Sequence, residues 1–180
     1  MSQCIVCGSR KGKRQCPAKG ALICSPCCGE IRAPAPCSGC GYWRPDERHY
    51  GNLPRFAPRD IEQSSKLRSI AFAVEAGVCA LDRRRDYAMD DAQAIAIFDV
   101  LLDLWAFGDA REAVAAKIAA LDCGALVDEL ERELQSSDRA TVAKVMAIVR
   151  FTACRRAAGG RHHLDLLQES CTAGSLVGGI

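Results

Sequence analysis

Cysteine is the residue type in this chain whose number and spacing point most directly to chemistry. Eight of the twelve cysteines fall in the first forty residues, at Cys4, Cys7, Cys16, Cys24, Cys27, Cys28, Cys37 and Cys40. Two thiolates separated by two residues reach one metal ion across a tight turn, and zinc takes four such ligands tetrahedrally at roughly 2.3 Å. Cys4-x2-Cys7 is followed after sixteen residues by Cys24-x2-Cys27, inside the window of about 15–20 residues that separates the two knuckles of a four-cysteine zinc site. These four are the expected first site. Cys16, Cys28, Cys37 and Cys40 are expected to form the second. Because Cys16 lies between the two pairs of the first site, the ligation is interleaved. Adjacent Cys27 and Cys28 point in different directions and can serve different metals. Two Zn2+ held by eight thiolates have no open coordination position, so the expected role of the metal is structural and no residue is assigned as catalytic.

A segment of about forty residues cannot normally bury enough apolar surface to fold alone, and this one offers only Ile5, Val6, Leu22, Ile23, Ile31, Tyr42 and Trp43. Metal must replace the missing core, and structural zinc supplies on the order of 10–16 kcal/mol in small fingers. Gly8, Pro17, Pro26, Gly29, Gly39 and Gly41 supply turn geometry around the ligands. Ala21-Leu22-Ile23 reads as a short strand into Cys24. Pro26 to Arg32 reads as the short helix that begins beside a zinc knuckle in treble-clef folds, with Ile31 inward.

The run CIVCG…CP…ICSPCC resembles the cross-brace zinc fingers of the HIT, MYND and B-box kind, most of all a HIT-type finger, over residues 4–43. More loosely, the chain is similar to prokaryotic proteins in which a CP…ICS-x-CCG-x-x-R run precedes a helical domain. The resemblance implies a protein-interaction module rather than an enzyme.

Charge is uneven. Residues 1–58 hold nine Lys and Arg against three Asp and Glu, while the remainder holds fifteen against nineteen. The basic half suggests a nucleic-acid surface, but ligand thiols bind metal as thiolates, so each four-thiolate zinc site carries two negative charges and removes most of that excess. The N-terminus has no basic segment followed by a long apolar core, and no stretch reaches the roughly 18 apolar residues needed to span a bilayer. The expected location is therefore the cytoplasm. In that reducing compartment clustered cysteines are read as metal ligands; a disulfide scaffold is the alternative.

The elements that must carry the module follow from the rest of the chain. Residues 1–43 are the expected cysteine-rich module and 44–58 a connector punctuated by Pro45, Pro54 and Pro58. Its Tyr50 and Phe56, with Tyr42 and Trp43 just before it, are expected to pack against the domains. Interleaved with Arg44, Arg48 and Arg55, they also suggest a stacking platform for single-stranded nucleic acid. Residues 59–170 are expected to be an all-α bundle, with 171–180 a flexible tail. Asp60 caps a first helix carrying Leu67, Ile70, Ala71, Val74, Val78 and Leu81 and ending in the solvated run Arg83-Arg84-Arg85. A central helix starts at Asp90 or Asp91 and runs through Ile95, Phe98, Leu101, Leu102 and Trp105 to Gly108. Asp109 opens a third helix with Val114, Ile118 and Leu121, broken at Gly124. Leu126, Val127, Leu130 and Leu134 mark a fourth. Asp138 opens a fifth through Val142, Val145, Met146 and Val149.

Cys79, Cys123, Cys154 and Cys171 lack metal spacing and are given no reactive role, Cys79 and Cys154 being read as small buried hydrophobes in helices. His162, His163 and Asp165 invite an acid-base site, but neighbouring helical residues diverge by about 100°, and a helix start explains the segment. The function expected is that of a zinc-binding interaction or adaptor protein whose partner is another protein. A nucleic-acid-binding regulator is the alternative, an enzyme in the helical half a third reading, and no small-molecule substrate is indicated.

Overall fold

The computed structural model describes residues 3–32, 34–37, 40–42, 48–172 and 174. Gly39, Trp43, Arg44, Pro45 and the tail from 175 onward, to which expectations were attached, lie outside them. The chain divides into two compact units, Met1–Arg48 and His49–Ile180.

In the first unit β1 (Arg14–Cys16) and β2 (Ala21–Ile23) pair antiparallel, with Arg14 opposite Ile23 and Cys16 opposite Ala21. Gly20, at φ +61°, completes the intervening turn in a backbone conformation that side chains resist. A bridge between Gln3 and Lys11 brings the first knuckle alongside this hairpin. α1 (Ser25–Glu30) starts immediately after β2 with Pro26 in its first turn, where its missing N–H costs nothing. α2 (Pro34–Cys37) is a single turn. The buried core is Cys4, Cys16, Ile23, Cys24 and Cys27, with Cys28 and Ile31 packed against it. A core with one aliphatic side chain and four thiols is held by sulfur rather than by hydrocarbon.

The second unit is all-helical among its described residues, apart from a 3-10 turn at Tyr50–Asn52 and connecting turns. α3 (Pro58–Gln63) and α4 (Ser65–Arg84) are two helices where one was expected. Asp60 accepts the Ala57 amide at 3.0 Å and starts α3, while the Ser64 hydroxyl accepts the Leu67 amide at 3.3 Å and starts α4. Ser64 is a strong N-cap residue, and its own extended backbone makes the break.

α5 (Asp91–Trp105) is capped by Asp90, which accepts the Gln93 amide at 2.8 Å while Gln93 returns the contact at 3.0 Å. It buries Ile97, Phe98, Val100, Leu101, Leu102 and Leu104 and packs chiefly on α8 (Arg139–Arg156), as expected of a central helix. Gly108 ends the segment at φ +74°. α6 (Arg111–Ala120) follows with Ala110, not Asp109, at its cap. α7 (Gly124–Glu133) begins at the glycine expected to be a break; the turn lies two residues earlier, where Asp122 adopts φ +44°. Asp138 caps α8 by accepting the Thr141 amide at 2.8 Å. α9 (His162–Thr172) closes the unit against α4, α5 and α8, burying Leu164 and Leu167. No helix among the described residues is long and apolar enough to cross a membrane.

Polar clamps fasten this core. Asp103, fully buried, accepts the Tyr50 hydroxyl at 2.9 Å and pairs with Lys117 at 2.6 Å. Arg85 donates to the Leu121 and Asp122 carbonyls, so the end of the arginine run secures the α6–α7 turn and is not simply solvated.

Candidate metal centre

The sulfurs of the first quartet are delivered in two pairs, each by its own local turn. The Gly8 amide donates to the Cys4 carbonyl at 2.8 Å, with Gly8 at φ +64°, and folds Cys4-Ile5-Val6-Cys7 into a knuckle. Cys24 lies just beyond the end of β2. The Cys28 amide reaches back to the Cys24 carbonyl at 2.9 Å, and the first turn of α1 thereby brings Cys27 over Cys24. The Ile5 amide donates to the Leu22 carbonyl at 3.2 Å and holds the two knuckles together.

The sulfurs of Cys4, Cys7, Cys24 and Cys27 all lie within 4.8 Å of one another. The Cys7–Cys24 separation is 3.9 Å. A tetrahedron with metal–sulfur bonds of roughly 2.3 Å has edges of about 3.8 Å, so the Cys7–Cys24 pair already has that separation and the other sulfurs lie within about 1 Å of it. Cys4, Cys24 and Cys27 are buried and Cys7 is exposed, which places the centre at the edge of the unit with one ligand toward solvent.

The electrostatics run in opposite directions within the quartet. The Ser9 side chain, then the Ser9 and Arg10 amides, bring the Cys7 thiol down to about 6. Burial opposes ionisation of Cys4, but donors from Cys24, Cys7 and Val6 together carry it below the ordinary thiol range. Cys27 is pushed up to about 12, because it shares its proton with Cys24 and is buried beside other sulfurs. Four sulfurs at this spacing ionise together only beside a cation, and a metal ion displaces the remaining protons.

The second expected quartet is arranged differently. Cys16, Cys28, Cys37 and Cys40 all line one cavity of about 20 Å³, together with Arg14 and Tyr42. Among the described residues no second group of three or more ligand atoms converges as the first does. Cys28 is held below the ordinary thiol range first by a hydrogen bond from Arg14, against the opposing effect of burial and with help from Arg32. A guanidinium thus serves as the cation partner at this sulfur.

The remaining candidates do not assemble into a site. His162 is exposed, whereas His163 is 1% exposed and neither of its ring nitrogens has a hydrogen-bond partner. Burial pushes the His163 imidazole down to about 4. Asp165 is exposed and paired with Arg161 at 3.3 Å. Tyr50 and Phe56 pack against the helical core, with Arg150 over the Tyr50 ring and Arg55 over that of Phe151. Cys154 is exposed, not buried as its helical pattern suggested. One pairing escaped sequence reasoning: the Cys79 thiol donates to the Cys171 sulfur at 3.1 Å across 92 residues. Nothing local signals it, since the two lie in different helices.

Fold and site together define a mostly helical chain with a small N-terminal cysteine cluster able to hold a metal ion. No family model matches the chain, and neither the curated proteins nor the solved structures compared with it give a match.

Proposed function

We propose that this is a zinc-dependent, non-catalytic interaction or adaptor protein of the reducing cytoplasm. Its N-terminal unit is a cross-brace, treble-clef-like module in which two Zn2+ hold a protein-recognition surface in shape. The observation that carries this reading is the convergence of four thiols within 4.8 Å of one another; four thiolates fill the coordination sphere of zinc and leave no position for substrate or water. The second ion is supported by Cys16, Cys28, Cys37 and Cys40 all facing one cavity of about 20 Å³, room for about a single small occupant. Its binding draws the four sulfurs inward and displaces Arg14 from Cys28.

The recognition surface is the tip of the first knuckle. Ile5 and Val6 are 63% and 42% exposed, an unusual placement for two aliphatic side chains in a unit so short of core. Arg10, Lys11 and Lys13 are exposed on the segment that the Gln3–Lys11 bridge lays beside the knuckle. An apolar tip with a basic flank fits an acidic, amphipathic segment of a partner protein.

Metal analysis of the chain purified under reducing conditions tests the ligand assignment. Two zinc ions per chain are expected; one restricts the reading to the first quartet, and none refutes it. A displayed random-peptide library selected on the metal-loaded chain tests the surface. Enrichment of acidic, apolar sequences is expected, and it must be lost in an Ile5→Ser/Val6→Ser variant of unchanged metal content. Enrichment indifferent to that variant refutes the assigned surface.

A further inference from the structure

We propose that Cys79 and Cys171 form a reversible disulfide that locks α9 onto α4 when the chain meets a low-molecular-weight disulfide of the glutathione class. The sulfurs are 3.1 Å apart, about 1 Å beyond the length of a disulfide bond. The contact is braced by Gln168, three residues before Cys171: its amide donates to the Cys79 carbonyl at 3.0 Å, and its side-chain oxygen accepts from Arg83 at 3.1 Å. α4 and α9 pack against each other along this seam, so bond formation asks for a small approach of sulfur to sulfur.

Exposure sets the order of events. Cys79 is fully buried, and Cys171 is half-buried near the end of α9. The hydrogen bond from Cys79, opposed by burial and assisted by the charge of Arg83, holds the Cys171 thiol below its ordinary value. The same hydrogen bond, together with burial, holds Cys79 in its protonated form. Cys171 is therefore the attacking thiolate and Cys79 the resolving thiol. The Cys171 thiolate attacks one sulfur of the external disulfide; a Cys171–S–S–R bond forms, the external S–S bond breaks and RS− leaves. With the charge on Cys171 gone, Cys79 loses the hydrogen bond that retained its proton and passes that proton to a departing thiolate. It then attacks the Cys171 sulfur and expels the second RS−. Two protein thiols are oxidised, one external disulfide is reduced to two thiols, and both protons end on those products.

The test is a series of glutathione disulfide to glutathione ratios applied to the metal-loaded full-length chain, read by non-reducing peptide mapping, intact mass, metal content and thermal unfolding. The expected result is a cross-linked peptide pair containing Cys79 and Cys171, with loss of two hydrogens from the chain, unchanged metal content and reversal by excess dithiol. The oxidised form should unfold roughly 5–15 °C higher, because the bond closes a long loop in the unfolded chain. Cys79→Ser should halt at a glutathione adduct on Cys171, and Cys171→Ser should take up neither adduct nor cross-link in this region. If Cys79→Ser fails to fold, the half-buried Cys171→Ser variant carries the comparison. A persistent adduct on Cys171 in the native chain overturns the proposal. So do cross-links confined to residues 4–40 while Cys79 and Cys171 remain open to alkylation.

Discussion

Arg161→Met isolates the clamp that holds α9 to the rest of the helical unit. The Asp82 carboxylate is fully buried and takes two Arg161 contacts at 3.1 Å each, the Gln168 amide at 3.0 Å and the Met89 amide at 3.3 Å. Methionine keeps much of the arginine stem and removes the charge, leaving a buried carboxylate with two neutral donors. Breaking a buried ion pair by removing one partner costs about 3–5 kcal/mol. Arg161 is 27% exposed and two donors survive, so the expected loss near neutral pH is about 2–4 kcal/mol. For a cooperative unit of about 130 residues the unfolding entropy near 60 °C is about 0.27 kcal/mol/K, which converts that loss to a fall in Tm of roughly 7–15 °C.

The pH dependence is the sharper signature. In the native protein burial acts against the Asp82 charge, but Arg161 first and then Gln168 outweigh it and hold the carboxyl below its ordinary value. Its contribution is complete above the unfolded value of about 3.9 and is lost as pH falls through the depressed folded value. Without Arg161 burial prevails, the folded value rises above the unfolded one, and the native state takes up the proton. The variant's deficit should therefore narrow between about pH 7 and about pH 5. Thermal unfolding followed by helical circular dichroism at both pH values is the assay. A deficit below about 1 kcal/mol near neutrality, the worth of an ordinary surface pair, refutes the reasoning. So does a deficit of the same size at both pH values.

Cys24→Ser should lower the metal content by at least one ion per chain and leave the thermal transition of the helical unit in place; an unchanged content excludes Cys24 as a ligand. At Gly12 an added Cβ would lie 2.7 Å from the Leu22 Cβ and 3.0 Å from its carbonyl carbon. Gly12→Ala should therefore push β2 aside at about 1–3 kcal/mol, read as a loss of about 5- to 150-fold in competition with a chromophoric chelator. His163→Leu removes two unpartnered buried nitrogens and should stabilise the helical unit by about 1–2 kcal/mol. In the native chain the unfolded state binds a proton at His163 below about pH 6.5 while the folded state waits until about 4, so stability falls as pH drops through that window, by about 3 kcal/mol in all. The leucine variant should lack that component of the slope, and parallel pH profiles would count against it.

What was legible in the sequence was whatever neighbours along the chain decide. Three-four spacing located the buried faces of α4, α5, α7 and α8, and Asp90 and Asp138 were readable as caps because the amides they bind lie three residues on. Cys4, Cys7, Cys24 and Cys27 were legible for the same reason, each pair closing its own turn. The three-residue strand β1 was too short for an alternating pattern to show. Ser64 was overlooked because an apolar period continues past it, although its hydroxyl decides where α4 begins. Nothing local sets Asp82 or Asp103 apart, and Asp91 was readable only as a possible helix start; their burial depends on Arg161, His163, Leu164, Tyr50 and Lys117, partners that only the tertiary packing brings near. The Cys79–Cys171 contact is of the same kind.

The start of α9 is built by a residue of another helix. The Asp91 carboxylate accepts the amides of His163 and Leu164 at 3.1 and 3.0 Å, and the Asp91 amide in turn donates to the Gly160 carbonyl at 2.8 Å. The residues just before α9, Gly159, Gly160 and Arg161, offer no side-chain acceptor that could start a helix by itself. Seventy-two residues separate donor from acceptor, so this helix has little means of nucleating by itself. It forms on a surface that the earlier helices have already completed. Order in α9 is thus conditional on α5, and a change at Asp91 should be felt first as fraying of a helix seventy residues away.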